Sequence, residues 1–289
     1  MLIYVCLSSH GFGHAARQAT VLCALHRLKP SWRLVVSSNV SADFLKLVCA
    51  AVPVEQRFVG WDVGMIQADA LGVDQEKTLE SLKALETDLP QRIDQEVAWI
   101  GEQNTPVLVV GDIPPAAAVL SERLGAPLVW MGNFGWDDIY EPLGGRFSEY
   151  AAEARAQYRQ GELLLRCPFS MAMPWGLDEQ PLGLTVSALR ELPAPLRQHL
   201  DTIQQPLVLV GFGGLGLAID PALFRLWPHH HFLMPAPVAP HLRANLQHET
   251  NVTLLPESVR PFDVMPFCER HLGKPGYSTF CEALSQDLG

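Results

Sequence analysis

The sequence is sparing with charge, and the charge present leans negative: 18% of residues are charged, with 31 acids against 21 bases. A net charge of −10 argues against a phosphate-backbone partner, so no nucleic-acid ligand is expected. No apolar run approaches the ~20 residues that cross a bilayer, which excludes a transmembrane helix. The first residues lack a basic leader and run from an apolar strand straight into glycines, so they read as a buried strand and the protein as cytoplasmic. The six cysteines form no close pair, which excludes a disulfide frame and a cysteine zinc site. His229-His230-His231 has no acidic or cysteine partner nearby, and consecutive residues do not share one face, so no metal site is expected. There is no repeat at solenoid periods. The lysine–serine/threonine phosphate loop of NTPases is also missing, because Gly273-Lys274 is followed by Pro275.

What is present is an α/β pattern in a sequence that is 48% hydrophobic and 289 residues long, enough for about two domains. Short β-branched runs recur at 3–7, 33–37, 107–110, 128–130, 207–210, 231–234 and 252–255. Amphipathic helical patterns lie between many of them, at 16–28, 78–100 and 116–124, with a polar helix at 146–160. Strands alternating with helices predict parallel sheets built from βαβ units. The stretch from 167 to 206 is rich in proline and turn residues and reads as the connection between domains, placed at 1–170 and 171–289. The expected architecture is two Rossmann-like, doubly wound domains facing each other across a cleft.

Each half opens with a strand and a glycine turn. Ser8-Ser9-His10-Gly11-Phe12-Gly13-His14 follows the first strand, where Gly11 and Gly13 allow a sharp turn and a close ligand approach. Gly211-Phe212-Gly213-Gly214-Leu215-Gly216 follows the strand at 207–210 and formally matches the dinucleotide pattern. That pattern needs an acidic residue at the end of the next strand to hold a ribose. Ser37-Ser38-Asn39 stands there in the first half, and the strand at 231–234 also ends without an acid. An NAD-dependent enzyme is therefore the weakest of the readings that stay open.

The most informative stretch is Gly273-Lys274-Pro275-Gly276-Tyr277-Ser278-Thr279-Phe280-Cys281-Glu282-Ala283-Leu284. It reads as a glycine turn feeding a helix whose first turn carries two hydroxyls and whose second carries a glutamate. A helix N-terminus presents backbone N–H groups and a positive dipole end to an anion. Lys274 adds a cation, and Glu282 can accept hydrogen bonds from a ribose, so the segment points to a nucleoside-diphosphate site. An ordinary helix capped by Ser278 or Thr279 is the competing reading.

Three motifs together resemble nucleotide-sugar glycosyltransferases of the GT-B fold, in particular the UDP-glycosyltransferase-like branch and the glycosyltransferase-like N-terminal region of plant L-arabinokinases. Gly13-His14-Ala15-Ala16-Arg17 resembles the Gly-His loop after the first strand. Gly111-Asp112-Ile113-Pro114-Pro115, followed by Asn133-Phe134-Gly135-Trp136-Asp137, resembles the aspartate loop and a downstream Asn-Phe-x-Trp-Asp stretch. Lys274 to Leu284 resembles the donor-binding signature, with lysine where many relatives carry histidine.

The resemblance implies metal-independent transfer of a sugar from a nucleotide donor, UDP-sugar by preference, to a hydroxyl on a small-molecule or lipid acceptor, with no bound cofactor. It implies His14 as base, with His10 as a rival, and Asp112 as its orienting partner. Gly211, Gly213, Gly214, Lys274, Gly276, Ser278, Thr279 and Glu282 would hold the donor. Gly11, Gly13, Arg17 and Asn133 would lie on the acceptor side, with Arg17 either binding an acidic acceptor or pairing across the helix. Relatives continue past the glutamate helix with further βα units, so the second domain is expected to be incomplete, truncated at its C-terminal end. A non-catalytic nucleotide- or sugar-binding module, related to the N-terminal region of sugar kinases, is the main alternative.

Overall fold

The computed structural model describes residues 1–50, 52–68, 72–212, 220–235, 240–246, 248–274 and 276–289, which fall into two compact units, Met1–Thr185 and Val186–Gly289. The predicted glycines Gly213 and Gly214 lie outside the described residues.

The first unit runs β1 (Leu2–Leu7), α1 (Gly13–Leu28), β2 (Arg33–Ser37), α2 (Ala42–Cys49), β3 (Val54–Arg57), α3 (Gln75–Gly101), β4 (Val107–Asp112), α4 (Ala117–Leu124), β5 (Leu128–Gly132), α5 (Trp136–Tyr140), α6 (Arg146–Tyr158), β6 (Leu163–Arg166) and β7 (Glu179–Pro181). Its seven strands form one parallel sheet in the order β3-β2-β1-β4-β5-β6-β7. That is the doubly wound arrangement, and its order reverses between β1 and β4. β7, in the proline-rich stretch read from sequence as a connection, pairs with β6, so the first unit takes in residues 171–185.

The pleat of β1 shows why both faces need helices. Leu2, Tyr4 and Cys6 enter one core with Ile93, Ile100 and Trp130. Ile3, Val5 and Leu7 enter the other with Ala15, Ala19 and Leu22 of α1. All six strand residues are at most 1% exposed, as a central parallel strand covered on both sides requires.

A loop spanning 58–66 is fastened over the sheet at several points. Trp61 Nε1 donates to the Ser37 carbonyl and hydroxyl at 3.1 and 2.9 Å. Arg92 donates to the Gly60 carbonyl at 2.7 Å, and the Tyr140 hydroxyl to that of Gly64 at 3.3 Å. Gly64 has φ +69°, and a Cβ there would strike the His10 ring, so this turn needs glycine.

The second unit runs α7 (Ala194–Thr202), β8 (Leu207–Gly211), α8 (Ala222–Arg225), β9 (His231–Met234), α9 (Pro240–Leu246), β10 (Val252–Leu254), α10 (Pro261–Val264), β11 (Arg270–Gly273) and α11 (Tyr277–Ser285). Among the described residues its four strands are parallel in the order β10-β9-β8-β11, again reversing at the first strand of the unit. Leu207 and Leu209 pack on one face, with Phe262 and Met265, while Val208 and Val210 pack on the other, with Phe224 and Phe232. Among the described residues no helix is long and apolar enough to cross a membrane.

Candidate functional site

In open α/β sheets ligands bind beyond the carboxyl ends of the strands, where the strand order reverses. In the first unit that point lies between β1 and β4, whose last residues, Leu7 and Asp112, are register partners. After β1, Gly11 turns the backbone at φ +83°, a conformation a side chain would strain, and α1 begins at Gly13. His14, Arg17 and Gln18 follow at helical spacing, so they share the face of α1 that meets Asp112.

All three reach the same carboxylate. His14 Nδ1 lies 2.8 Å from Asp112 Oδ1. Arg17 donates through Nε to Oδ2 at 3.2 Å and through a terminal nitrogen to Oδ1, while Gln18 Nε2 donates to Oδ2 at 2.8 Å. Asp112 is wholly buried and Arg17 is 2% exposed. Burial alone would raise the Asp112 carboxyl, but the Arg17 charge, with His14 adding to it, outweighs burial and holds it at about 2.

The donors around Asp112 also decide the histidine tautomer. Arg17 Nη2 lies 3.2 Å from His14 Nδ1, and a guanidinium only donates. The carboxylate only accepts and is the nearer group, so Nδ1 carries the proton toward Asp112 and Nε2 is left as the basic nitrogen.

Arg17 also donates to Asn133 Oδ1 at 2.7 Å. Arg17 and Asn133 therefore bind each other and brace the pair. His10 is half-buried, with its ring edge-on to Trp136 at 5.5 Å. Phe134 lies edge-on to both His14 and Trp136.

Sequence reasoning missed Asp62, in the loop after β3. Its Oδ2 accepts from Trp136 Nε1 at 2.8 Å. Burial pushes its carboxyl above the usual range against the lowering effect of Trp136 and Ser8, and it feels the charges of both His14 and Asp112. No spacing rule links Asp62 to His14; only the closure of loop 58–66 brings them together.

In the second unit Gly211 and Lys274 lie at the carboxyl ends of β8 and β11, and Gly276, Ser278, Thr279 and Glu282 follow at and along α11. Gly211 and Gly273 end these strands and are register partners. The N-cap of α11 is Gly276, with no side-chain capping bond, so Ser278 and Thr279 are not caps but lie within the first turn, half-buried. Lys274 precedes them and is also half-buried. Glu282 sits one turn further along; burial pushes its carboxyl up to about 7, with Arg260 pulling down and Asp263 pushing up. Those two are ion-paired with each other.

The triple histidine is not clustered around a site: His229 is exposed, while His231 and His199 share the Thr253 hydroxyl at 2.8 and 2.9 Å. Among the described residues no three His, Cys, Asp or Glu side chains are grouped to hold a metal ion.

No family model matches the sequence. It is 27% identical to an L-arabinokinase of Arabidopsis thaliana over 96% of its own length, and spans 27% of the length of that relative. Among solved structures it superposes on a UDP-glucose:anthocyanidin 3-O-glucosyltransferase in complex with UDP, with TM-score 0.67 and 12% identity over 99% of this protein and 79% of that one. It also superposes on Arabidopsis thaliana UGT89C1 in complex with UDP, with TM-score 0.65 and 10% identity over 99% of this protein and 78% of that one. The fold is thus that of the GT-B UDP-glycosyltransferases, with about a fifth of each solved structure outside the match.

Proposed function

We propose that this is a glycosyltransferase-like protein that takes a UDP-sugar donor and uses His14 as the base for an acceptor hydroxyl. The observation that carries this reading is the His14–Asp112 pair at the strand-order switch of the first unit, with Nε2 left as the basic nitrogen.

In the proposed step His14 Nε2 takes the proton of the acceptor hydroxyl as its oxygen bonds to the anomeric carbon of the sugar. The bond from that carbon to the diphosphate oxygen breaks, and UDP leaves with the electron pair. Asp112 holds the ring in the required tautomer and balances the imidazolium that forms. The first turn of α11, with Ser278, Thr279 and Lys274, is suited to the departing diphosphate, and Glu282 to the ribose hydroxyls. Asp112 is a positioning residue here, and Arg17 and Asn133 position it in turn.

The test is UDP release from a panel of UDP-sugars with hydroxyl acceptors. His14→Ala is expected to lower turnover by about 10²–10⁴-fold, the usual contribution of a general base, with UDP affinity unchanged. Glu282→Ala is expected to weaken UDP binding instead. Turnover that survives His14→Ala would remove the histidine-base reading.

A second reading, a nucleotide- or sugar-binding module without transfer activity, is favoured by the relative of which this protein spans 27%, which is named a kinase. UDP binding without turnover on any donor would select it.

A further inference from the structure

A cavity of about 580 Å³ lies beyond the carboxyl ends of β2 and β3, and the chemistry at His14 makes no use of it. Three segments line it. Asn39 follows β2, Gln56 and Arg57 end β3, and Phe58 to Gly60 begin the loop after it. Arg92, Gln95 and Glu96 come from α3 at spacings of three and four residues, so they share one face of that helix. β3 is two strands from β1, which sets the cavity about 10 Å to the side of the strand-order switch.

Its charges do not cancel. Glu96 is 3% exposed and both its oxygens are taken. Arg57 donates to Oε1 at 2.6 Å and also to Oε2, and the Tyr4 hydroxyl donates to Oε2 at 2.5 Å. Arg57 is also held against Trp99, 4.0 Å from the ring centre. That pair is fixed and has no net charge. Arg92 remains. Its partner Asp88 lies outside the lining at 3.2 Å, and with side chains 34% and 61% exposed the two form a weak surface pair. A guanidinium does not lose its proton in a protein, so the cavity keeps one positive charge.

The rest of the lining suits hydroxyls. Gln56 donates through Nε2 to the Ser38 and Val40 carbonyls at 3.2 and 2.8 Å, which fixes its amide and leaves the side-chain oxygen as an acceptor. The amides of Asn39 and Gln95 are on exposed residues and make no hydrogen bond among the described residues. An amide both donates and accepts, as a hydroxyl does. Phe58 is 67% exposed and offers a flat apolar surface to the C–H face of a sugar ring. A Cβ on Gly60 would come within 2.9 Å of both Arg92 Nη1 and Asn39 Nδ2, so the missing side chain is what lets these two groups approach. The volume is in the range of small-molecule sites.

We infer that this cavity binds a small polyhydroxylated monocarboxylate, a sugar acid, with its carboxylate on Arg92 and its hydroxyls on the amides of Asn39, Gln56 and Gln95. One unmatched positive charge calls for one negative charge, and the planar guanidinium fork is complementary to a carboxylate. The site is separate from the His14–Asp112 pair and does not depend on what His14 does.

The test is calorimetric titration of the full 289-residue protein with D-glucuronate, D-glucuronamide and acetate. The first two are the same sugar with a charged or an uncharged group at one carbon, and acetate has the charge without the hydroxyls. Glucuronate is expected to bind about tenfold tighter than glucuronamide, the effect of hydrogen bonding to a charged group, and tighter than acetate. Arg92→Gln should abolish the preference for glucuronate over its amide. Gly60→Ala, which pushes into Arg92 and Asn39, should weaken glucuronate binding. His14→Ala and Glu282→Ala should leave it unchanged.

Equal affinity for glucuronate and glucuronamide, binding of neither, or acetate binding as tightly as glucuronate overturns the inference. So does a preference that survives Arg92→Gln, or binding that is lost in His14→Ala or Glu282→Ala, which would put the ligand in the sites already described. If thermal unfolding shows that Arg92→Gln does not fold, Gly60→Ala and the comparison of the three ligands decide.

Discussion

The two candidate sites stand at equivalent points of their sheets and are built on opposite principles. In the first unit the charged groups satisfy one another: Asp112 is bound by His14, Arg17 and Gln18, and Arg17 is held in turn by Asn133. In the second unit the groups suited to a ligand are half-buried side chains on a short helix whose N-terminus has no side-chain capping bond, and Glu282 is held close to neutrality by burial. A base must be oriented before its substrate arrives, so its surroundings are prearranged. An anion-binding helix end needs only exposed donors and a dipole, and the ligand supplies the charge that completes it. The difference places the structural cost of the first site in a buried ion pair and that of the second in a single desolvated carboxyl.

The largest expected effect tests the first half of that contrast. Asp112→Asn leaves Arg17 buried without its counter-charge, and should lower unfolding stability by about 3–5 kcal/mol in urea titrations. A loss below about 1 kcal/mol would mean that the network is not the interlocked unit described.

The next tests the second half, through pH. Glu282 titrates near 4.5 when unfolded and near 7 when folded. Between these values the folded state keeps a proton that the unfolded state releases, so the contribution of Glu282 to stability is fully present below about pH 4.5 and is lost as pH rises through 7. Glu282→Gln should remove that slope and raise stability at pH 8 by about 2 kcal/mol relative to the parent protein. A slope unchanged in the variant would assign it to other groups.

A smaller effect probes the loop. Trp136→Phe removes the donor to Asp62 while keeping most of the aromatic packing, and should cost about 1–2 kcal/mol in thermal unfolding, since Asp62 Oδ2 is left without its donor. No measurable loss would show that water already serves this carboxylate.

Much of this was legible in the sequence. The strands at 3–7, 33–37, 107–110 and 128–130 could be read because central parallel strands are buried on both faces and appear as unbroken apolar runs. β3, β6 and β7 escaped notice; β3 and β7 are edge strands, which need no such run, since Val54–Arg57 is only half-buried and Glu179–Pro181 is exposed throughout. His14 and Asp112 could be proposed as a pair through the resemblance to the glycosyltransferase Gly-His and aspartate loops, and both follow parallel strands whose carboxyl ends meet at the strand-order switch. Asn133 was placed on the acceptor side, yet its carbonyl oxygen is bound to Arg17, a contact 116 residues apart in sequence that no local pattern encodes.

The sequence by itself determined the alternation of strands and helices, the sheet that alternation demands, and the glycine turn after β1, because these follow from burial periodicity and local backbone freedom. Only the tertiary structure decided which groups share a carboxylate and that Asp62 lies beside them. Those outcomes depend on distances between residues far apart in sequence, and they are set when β1, β4 and the loop after β3 close around one point.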